Sequence, residues 1–142
     1  MPREVQDKPM RAIVAAVQLP SVSDTEFEAS LNELRELAKT LGFKVVHTFV
    51  QKRSGFDTTA YLGVGKIEEI RRYVHGETGE DDFDEVPASY ASEIEVILVD
   101  HEISPSQARN LELGVGCEVM DRTMVILEIF HNNARSRAAR AQ

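Results

Sequence analysis

The chain has 142 residues, 42% apolar and 28% charged, with a net charge of −8, a composition that suits one soluble globular domain with a proper core. No apolar run approaches the roughly 20 residues needed to cross a bilayer, Met1-Pro2-Arg3-Glu4 is too polar to open a secretory signal, and the lone Cys117 excludes a disulfide framework or a cysteine-based zinc site. A reducing, cytoplasmic setting with no membrane partner is therefore expected, and the acidic balance argues against a domain that is basic throughout.

Residues 1–10 are polar and read as a flexible leader. Arg11 to Leu19 is apolar almost throughout, as in a strand covered on both faces. Ser23-Asp24-Thr25-Glu26 has the form of a capping box, with Ser23 as N-cap and Glu26 reaching back. Phe27, Leu31, Leu34, Ala38 and Leu41 then recur at helical spacing, and Gly42 closes the helix. Val45 to Val50 is a second strand, which completes a βαβ unit. Gln51 to Tyr61 is polar and turn-rich, and Gly65 to Val74 is a short helix.

Glu77, Glu80, Asp81, Asp82, Asp84 and Glu85 crowd into one stretch, so residues 76–92 are expected to form an acidic, solvated, flexible insertion. Glu95 to Asp100 is a third buried strand. Ser104 to Leu113 is a helix followed by Gly114 and Gly116, Glu118 to Met120 is a short fourth strand, and a helix begins at Arg122. Strands alternating with helices predict an α/β fold: a four-stranded parallel sheet, in the order 2-1-3-4, flanked by helices and followed by the start of a long C-terminal helix. Residues 11–128 would form this body. The last helix ends without a cap, so the chain reads as cut from something longer.

Ligands gather at the C-terminal edge of open parallel sheets, and several polar residues map there. Gly63-Val64-Gly65-Lys66 precedes a helix and could hold an anion through backbone N–H groups and Lys66. It is not a Walker loop, because Ile67 follows the lysine where Ser or Thr is required. As a bare pattern, a helix-entry turn is the reading it favours. Ser104, Pro105 and Gln107 are accounted for by a second capping box; Asn110, two turns in, is either exposed or a contact.

Asp100-His101-Glu102 places three metal-ligand types in a row, but neighbours point in different directions, so no metal is expected. Asp121 fits an N-cap, with Arg122 and Thr123 after it. Arg122 either reaches across the sheet edge or pairs with Asp100. No nucleophile–base arrangement is apparent, and no catalytic residue is assigned. Arg135, Arg137 and Arg140 lie in a stretch with no acid and suit either phosphate contact or ion pairing.

Three segments in register carry a resemblance: Tyr61-Leu-Gly-Val-Gly-Lys-Ile-Glu-Glu-Ile70, Ser104-Pro-Ser-Gln-Ala-Arg-Asn-Leu111, and Asp121-Arg-Thr-Met-Val-Ile-Leu-Glu-Ile-Phe130. From about Arg11 onward the chain resembles the N-terminal domain of the HflX family of ribosome-associated GTPases. The resemblance implies a translation factor that binds the large ribosomal subunit and its RNA and helps split ribosomes under stress. It also implies a parallel α/β subdomain followed by a helical hairpin, of which residues 129–142 would be the first turns.

GTP and Mg²⁺ would belong to a G domain that this chain lacks, so no GTP hydrolysis and no required cofactor are expected of it. Gly63, Gly65, Lys66, Ser104, Gln107, Asn110, Asp121, Arg122 and Thr123 would form a nucleotide-binding or interdomain surface. Arg135, Arg137 and Arg140 would contact RNA. The alternative is a sensor that binds, or weakly hydrolyses, ATP at the sheet edge. A dimer through exposed Ile126, Leu127 or Phe130 is a further expectation. The sequence departs from the family pattern in the less basic Phe130-His131-Asn132-Asn133 and in its longer acidic insertion.

Overall fold

A computed structural model describes residues 10–76 and 94–141, with side chains as far as Asn132. The leader and the acidic insertion therefore lie almost wholly outside the described residues. The elements are β1 (Met10–Gln18), α1 (Asp24–Thr40), β2 (Phe43–Lys52), α2 (Val64–Val74), β3 (Ile94–Val99), α3 (Pro105–Val115), β4 (Glu118–Asp121) and α4 (Arg122–Ala141). The strands form one sheet in the order β2-β1-β3-β4, and all three neighbouring pairs are parallel, as the alternation of apolar runs and amphipathic segments predicts.

β1 is one of the two inner strands, and it shows why an unbroken apolar run is needed. Ala12 to Val17 are all buried, but successive side chains serve opposite faces of the sheet. Ile13, Ala15 and Val17 pack with Ile70 and Tyr73 of α2 and Leu111 and Val115 of α3. Ala12, Val14 and Ala16 pack with Phe27, Leu31, Leu34 and Ala38 of α1 and Val125 of α4. Burying Ile13, Val14 and Val17 contributes about 1.5–3 kcal/mol each, and a polar residue anywhere in this run would be costly.

Both capping boxes form. Ser23 Oγ accepts the Glu26 N–H while the Glu26 carboxylate accepts the Ser23 N–H; Ser104 and Gln107 do the same for α3. Gly42 and Gly116 adopt left-handed φ of 89° and 91° at the ends of α1 and α3, a conformation glycine adopts without strain. One boundary differs from expectation. α3 runs through Gly114 to Val115, because Gly114 faces Ile67 on α2, and a Cβ there would lie only 2.9 Å from Ile67 Cγ2. The glycine is a packing residue between two helices, not a stop.

Candidate functional site at the C-terminal edge of the sheet

In this strand order the chain leaves β1 toward one side of the sheet and β3 toward the other, so the crevice between their C-terminal ends is the topological switch point. That is where open α/β sheets usually take ligands. Here the protein's own side chains fill it.

The filling begins with a backbone requirement. Asp100 N–H donates to Ala15 O at 3.3 Å, so alternate residues of β1 turn their backbone toward β3. The next N–H facing that way belongs to Val17, beyond the end of β3 at Val99. A buried N–H needs an acceptor, and the Tyr61 hydroxyl supplies it at 2.9 Å. The same hydroxyl lies 2.7 Å from His101 Nδ1.

Tyr61 reaches this position through a tight loop. Asp57 and Tyr61 exchange backbone hydrogen bonds of 3.0 and 2.9 Å, and Asp57 Oδ1 accepts the N–H groups of Thr59 and Ala60. These two backbone donors, aided by Arg53, hold the Asp57 carboxyl below its usual pKa. The loop closes with Tyr61 at φ 74°, a strained backbone for a non-glycine residue. The strain is offset by a fully buried ring that packs beside Phe56.

On the other side of the crevice lies Asp100, which is 3% exposed. Its Oδ2 accepts the Ser30 hydroxyl at 2.8 Å, and its Oδ1 lies 3.4 Å from Arg122 Nε. Arg122 also donates to Ser30 O and to Glu33 Oε1. Burial raises the Asp100 pKa above the usual carboxylate value, and Ser30 and Arg122 oppose that rise. Of the two roles open to Arg122, the structure shows the ion pair with Asp100.

The other expected site residues divide into two groups. Gln107 and Asn110 reach across to the Tyr61 loop, donating to Asp57 O at 2.8 Å and Thr59 O at 3.0 Å. Asp121 ties two elements together: Oδ2 accepts the Ile103 N–H and Oδ1 accepts the Met124 N–H, which caps α4. Thr123 is half-buried in the first turn of α4. At the start of α2, the Gly63 N–H is taken by Gln51 Oε1 at 2.9 Å. Lys66 Nζ is paired with Glu69 at 3.0 Å, so each is engaged within its own neighbourhood.

Arg135, Arg137 and Arg140 fall on the last turns of α4, beyond the described side chains. Sequence reasoning missed Tyr61 and Tyr73, the largest fully buried side chains, because Tyr61 sits in a polar, turn-rich stretch. The one available signal was a large aromatic directly before Leu62-Gly63.

Among the described residues no group of His, Cys, Asp or Glu could hold a metal ion, and no helix is long and apolar enough to cross a membrane. Cys117 is half-buried, and burial, reinforced by Glu112 and Glu118, pushes its thiol up to about 12. α4 leaves Met124, Leu127 and Phe130 exposed, Phe130 at 65%.

Comparison with known proteins agrees with the fold. The family described as GTP-binding GTPase N-terminal matches residues 28–131. A GTPase HflX of Gluconacetobacter diazotrophicus is 40% identical over 92% of this chain and 34% of its own length. One from Caldanaerobacter subterraneus subsp. tengcongensis is 34% identical over 93% of this chain and 26% of its own length. The chain thus spans about a third or less of these relatives. A solved GTP-binding protein from the hyperthermophilic archaeon Sulfolobus solfataricus, in complex with GDP, shares the fold with a TM-score of 0.51 at 23% identity, covering 84% of this chain and 30% of that one.

Proposed function

The chain belongs to the family of GTP-binding GTPase N-terminal domains represented by HflX, and from that premise we propose that it is the ribosome-docking and regulatory domain of an HflX-like translation GTPase. In this reading it binds the large ribosomal subunit, works in the cytoplasm, and helps a neighbouring G domain split ribosomes under stress. The observation that supports positioning over turnover is the filled switch point. Tyr61, His101 and the Asp100–Arg122 pair occupy the crevice where a substrate would sit. Ser104, Gln107, Asn110, Asp121 and Thr123 then act as the frame of a rigid rim that faces the parent's other domains.

GTP and Mg²⁺ supply phosphoryl-transfer chemistry to the parent, and the residues of this chain do not fit them. The Gly63 N–H is already bonded to Gln51, Lys66 is paired with Glu69, and Ile67 stands where a Mg²⁺-binding hydroxyl belongs. The same facts weigh against an ATP sensor; a titration with labelled ATP and GTP should show no saturable binding.

Docking assigns the RNA backbone to Arg135, Arg137 and Arg140 on α4. The test is cosedimentation of this chain with large ribosomal subunits across a salt series, alongside the R135A/R137A/R140A variant. The chain should pellet less as salt rises, and the variant should bind more weakly with a shallower salt dependence. Equal pelleting of the two at every salt concentration removes the phosphate-contact role, and no pelleting at low salt removes the docking role.

A further inference from the structure

The Tyr61 hydroxyl has two neighbours and one proton. It accepts the Val17 N–H, and its ring and hydroxyl are sealed from solvent, so its own hydrogen needs an acceptor inside the protein. His101 Nδ1, 2.7 Å away, lies in position to accept it. Burial keeps the Tyr61 phenol protonated far above neutral pH. His101 must then be neutral, with its proton on Nε2. A doubly protonated ring would present an N–H at Nδ1 and set two hydrogens against each other in a closed space.

We propose that the Tyr61–His101 pair is a proton-controlled latch: neutral His101 holds residues 53–63 onto the C-terminal edge of the sheet, and its protonation releases them. Release would reach beyond the pair. The loop carries the Asp57 and Thr59 carbonyls that anchor Gln107 and Asn110, and it leads directly into the start of α2. Mild acid would thereby loosen the rim that holds α2 against α3.

The groups facing His101 are Tyr61 and Phe56 from the loop, Asp100 from its own strand end and Arg122 from α4. Asp100 favours a charged ring and Arg122 disfavours it, but both are already engaged with each other. Burial is the larger effect and lowers the His101 pKa. The inference does not rest on ribosome binding, and it can fail or succeed without it.

The test is amide hydrogen exchange at Val17 by NMR, corrected for the intrinsic pH dependence of exchange, alongside the His101 ring titration in the same samples. Opening at Val17 should rise by up to about eightfold between pH 7 and pH 5.5, the ratio given by a side chain of ordinary histidine pKa protonated only in the open state. His101→Asn keeps an acceptor near Nδ1 and cannot titrate, so it should abolish the rise. Tyr61→Phe should leave Val17 poorly protected at both pH values; if that variant does not fold, the His101→Asn comparison decides alone. A flat response in the native chain, a rise that persists in His101→Asn, or Val17 protection as high as that of Leu34 in α1 at the acidic end would each overturn the latch.

Discussion

Gly114 lies so close to Ile67 that a single added methyl group would stand 2.9 Å from Ile67 Cγ2. Two rules pull in opposite directions here. An alanine in a helix interior is favoured over glycine by about 1 kcal/mol, while overpacking costs about 1–3 kcal/mol. Ile67 is β-branched and stiff at χ1 in a helix, so the steric cost wins.

Gly114→Ala is therefore expected to destabilise by about 1 kcal/mol net, read as a lower urea midpoint with unchanged slope. Gly65→Ala, in the first turn of α2 with nothing within 4 Å of the added carbon, should be neutral or slightly stabilising. The opposite ranking of these two alanines would refute the close α2–α3 packing.

Removing Arg122 strands a buried carboxylate. Arg122→Ala should cost about 2–4 kcal/mol, somewhat below the cost of breaking a fully buried pair because the Arg122 side chain is partly exposed. Asp100 has a folded pKa raised above its unfolded value, so its contribution is fully present at low pH and lost as pH rises through the folded value. The Arg122→Ala chain should therefore regain melting temperature on acidification from neutral toward the ordinary carboxylate range, relative to the native chain. Arg122→Ala/Asp100→Asn should recover much of the loss at neutral pH.

The Tyr61 hydroxyl can be tested for stability apart from its latch role. Tyr61→Phe leaves the Val17 N–H buried without an acceptor and should cost about 1–3 kcal/mol in chemical denaturation. The two ends of the pH range carry opposite signs. His101, with its folded pKa lowered, contributes stability that is lost as pH falls below its unfolded value of about 6.5. Tyr61, with its folded pKa raised, contributes stability that is lost as pH climbs above about 10. Stability should be flat from neutral pH to the onset of thiol titration at about 9, and Tyr61→Phe should lessen the alkaline decline, to which the raised Cys117 and Tyr73 also contribute.

Cys117 offers a check on packing around β4. With its thiol pushed up to about 12, it should react with a disulfide reagent at pH 8 far more slowly than it does in the urea-unfolded chain. Comparable rates would mean that the α3–β4 turn opens readily.

Phe130 and Leu127 are exposed on α4, and pairing of α4 between two copies would cover them. Sedimentation equilibrium should show self-association that weakens in Leu127→Glu/Phe130→Glu. A chain that stays monomeric at high concentration excludes that pairing.

The linear order of residues determined the architecture almost alone. Apolar runs of strand length, helical stripes and two complete capping boxes are local signals, read within a few residues of one another, and together they imply a parallel sheet in the order β2-β1-β3-β4. Gln107 as a cap was equally legible. What the sequence could not show is whose backbone the same Gln107 amide would meet, or that Gly114 would continue a helix instead of ending it. Only the tertiary structure decided that Tyr61 leaves a polar loop to cap a strand, that Arg122 turns to Asp100, and that the switch-point crevice is filled. Each of these joins residues far apart in the chain, 44 positions for Tyr61 and Val17 and 40 for Tyr61 and His101, and such contacts are set by closure of the sheet and its layers, which no local pattern records.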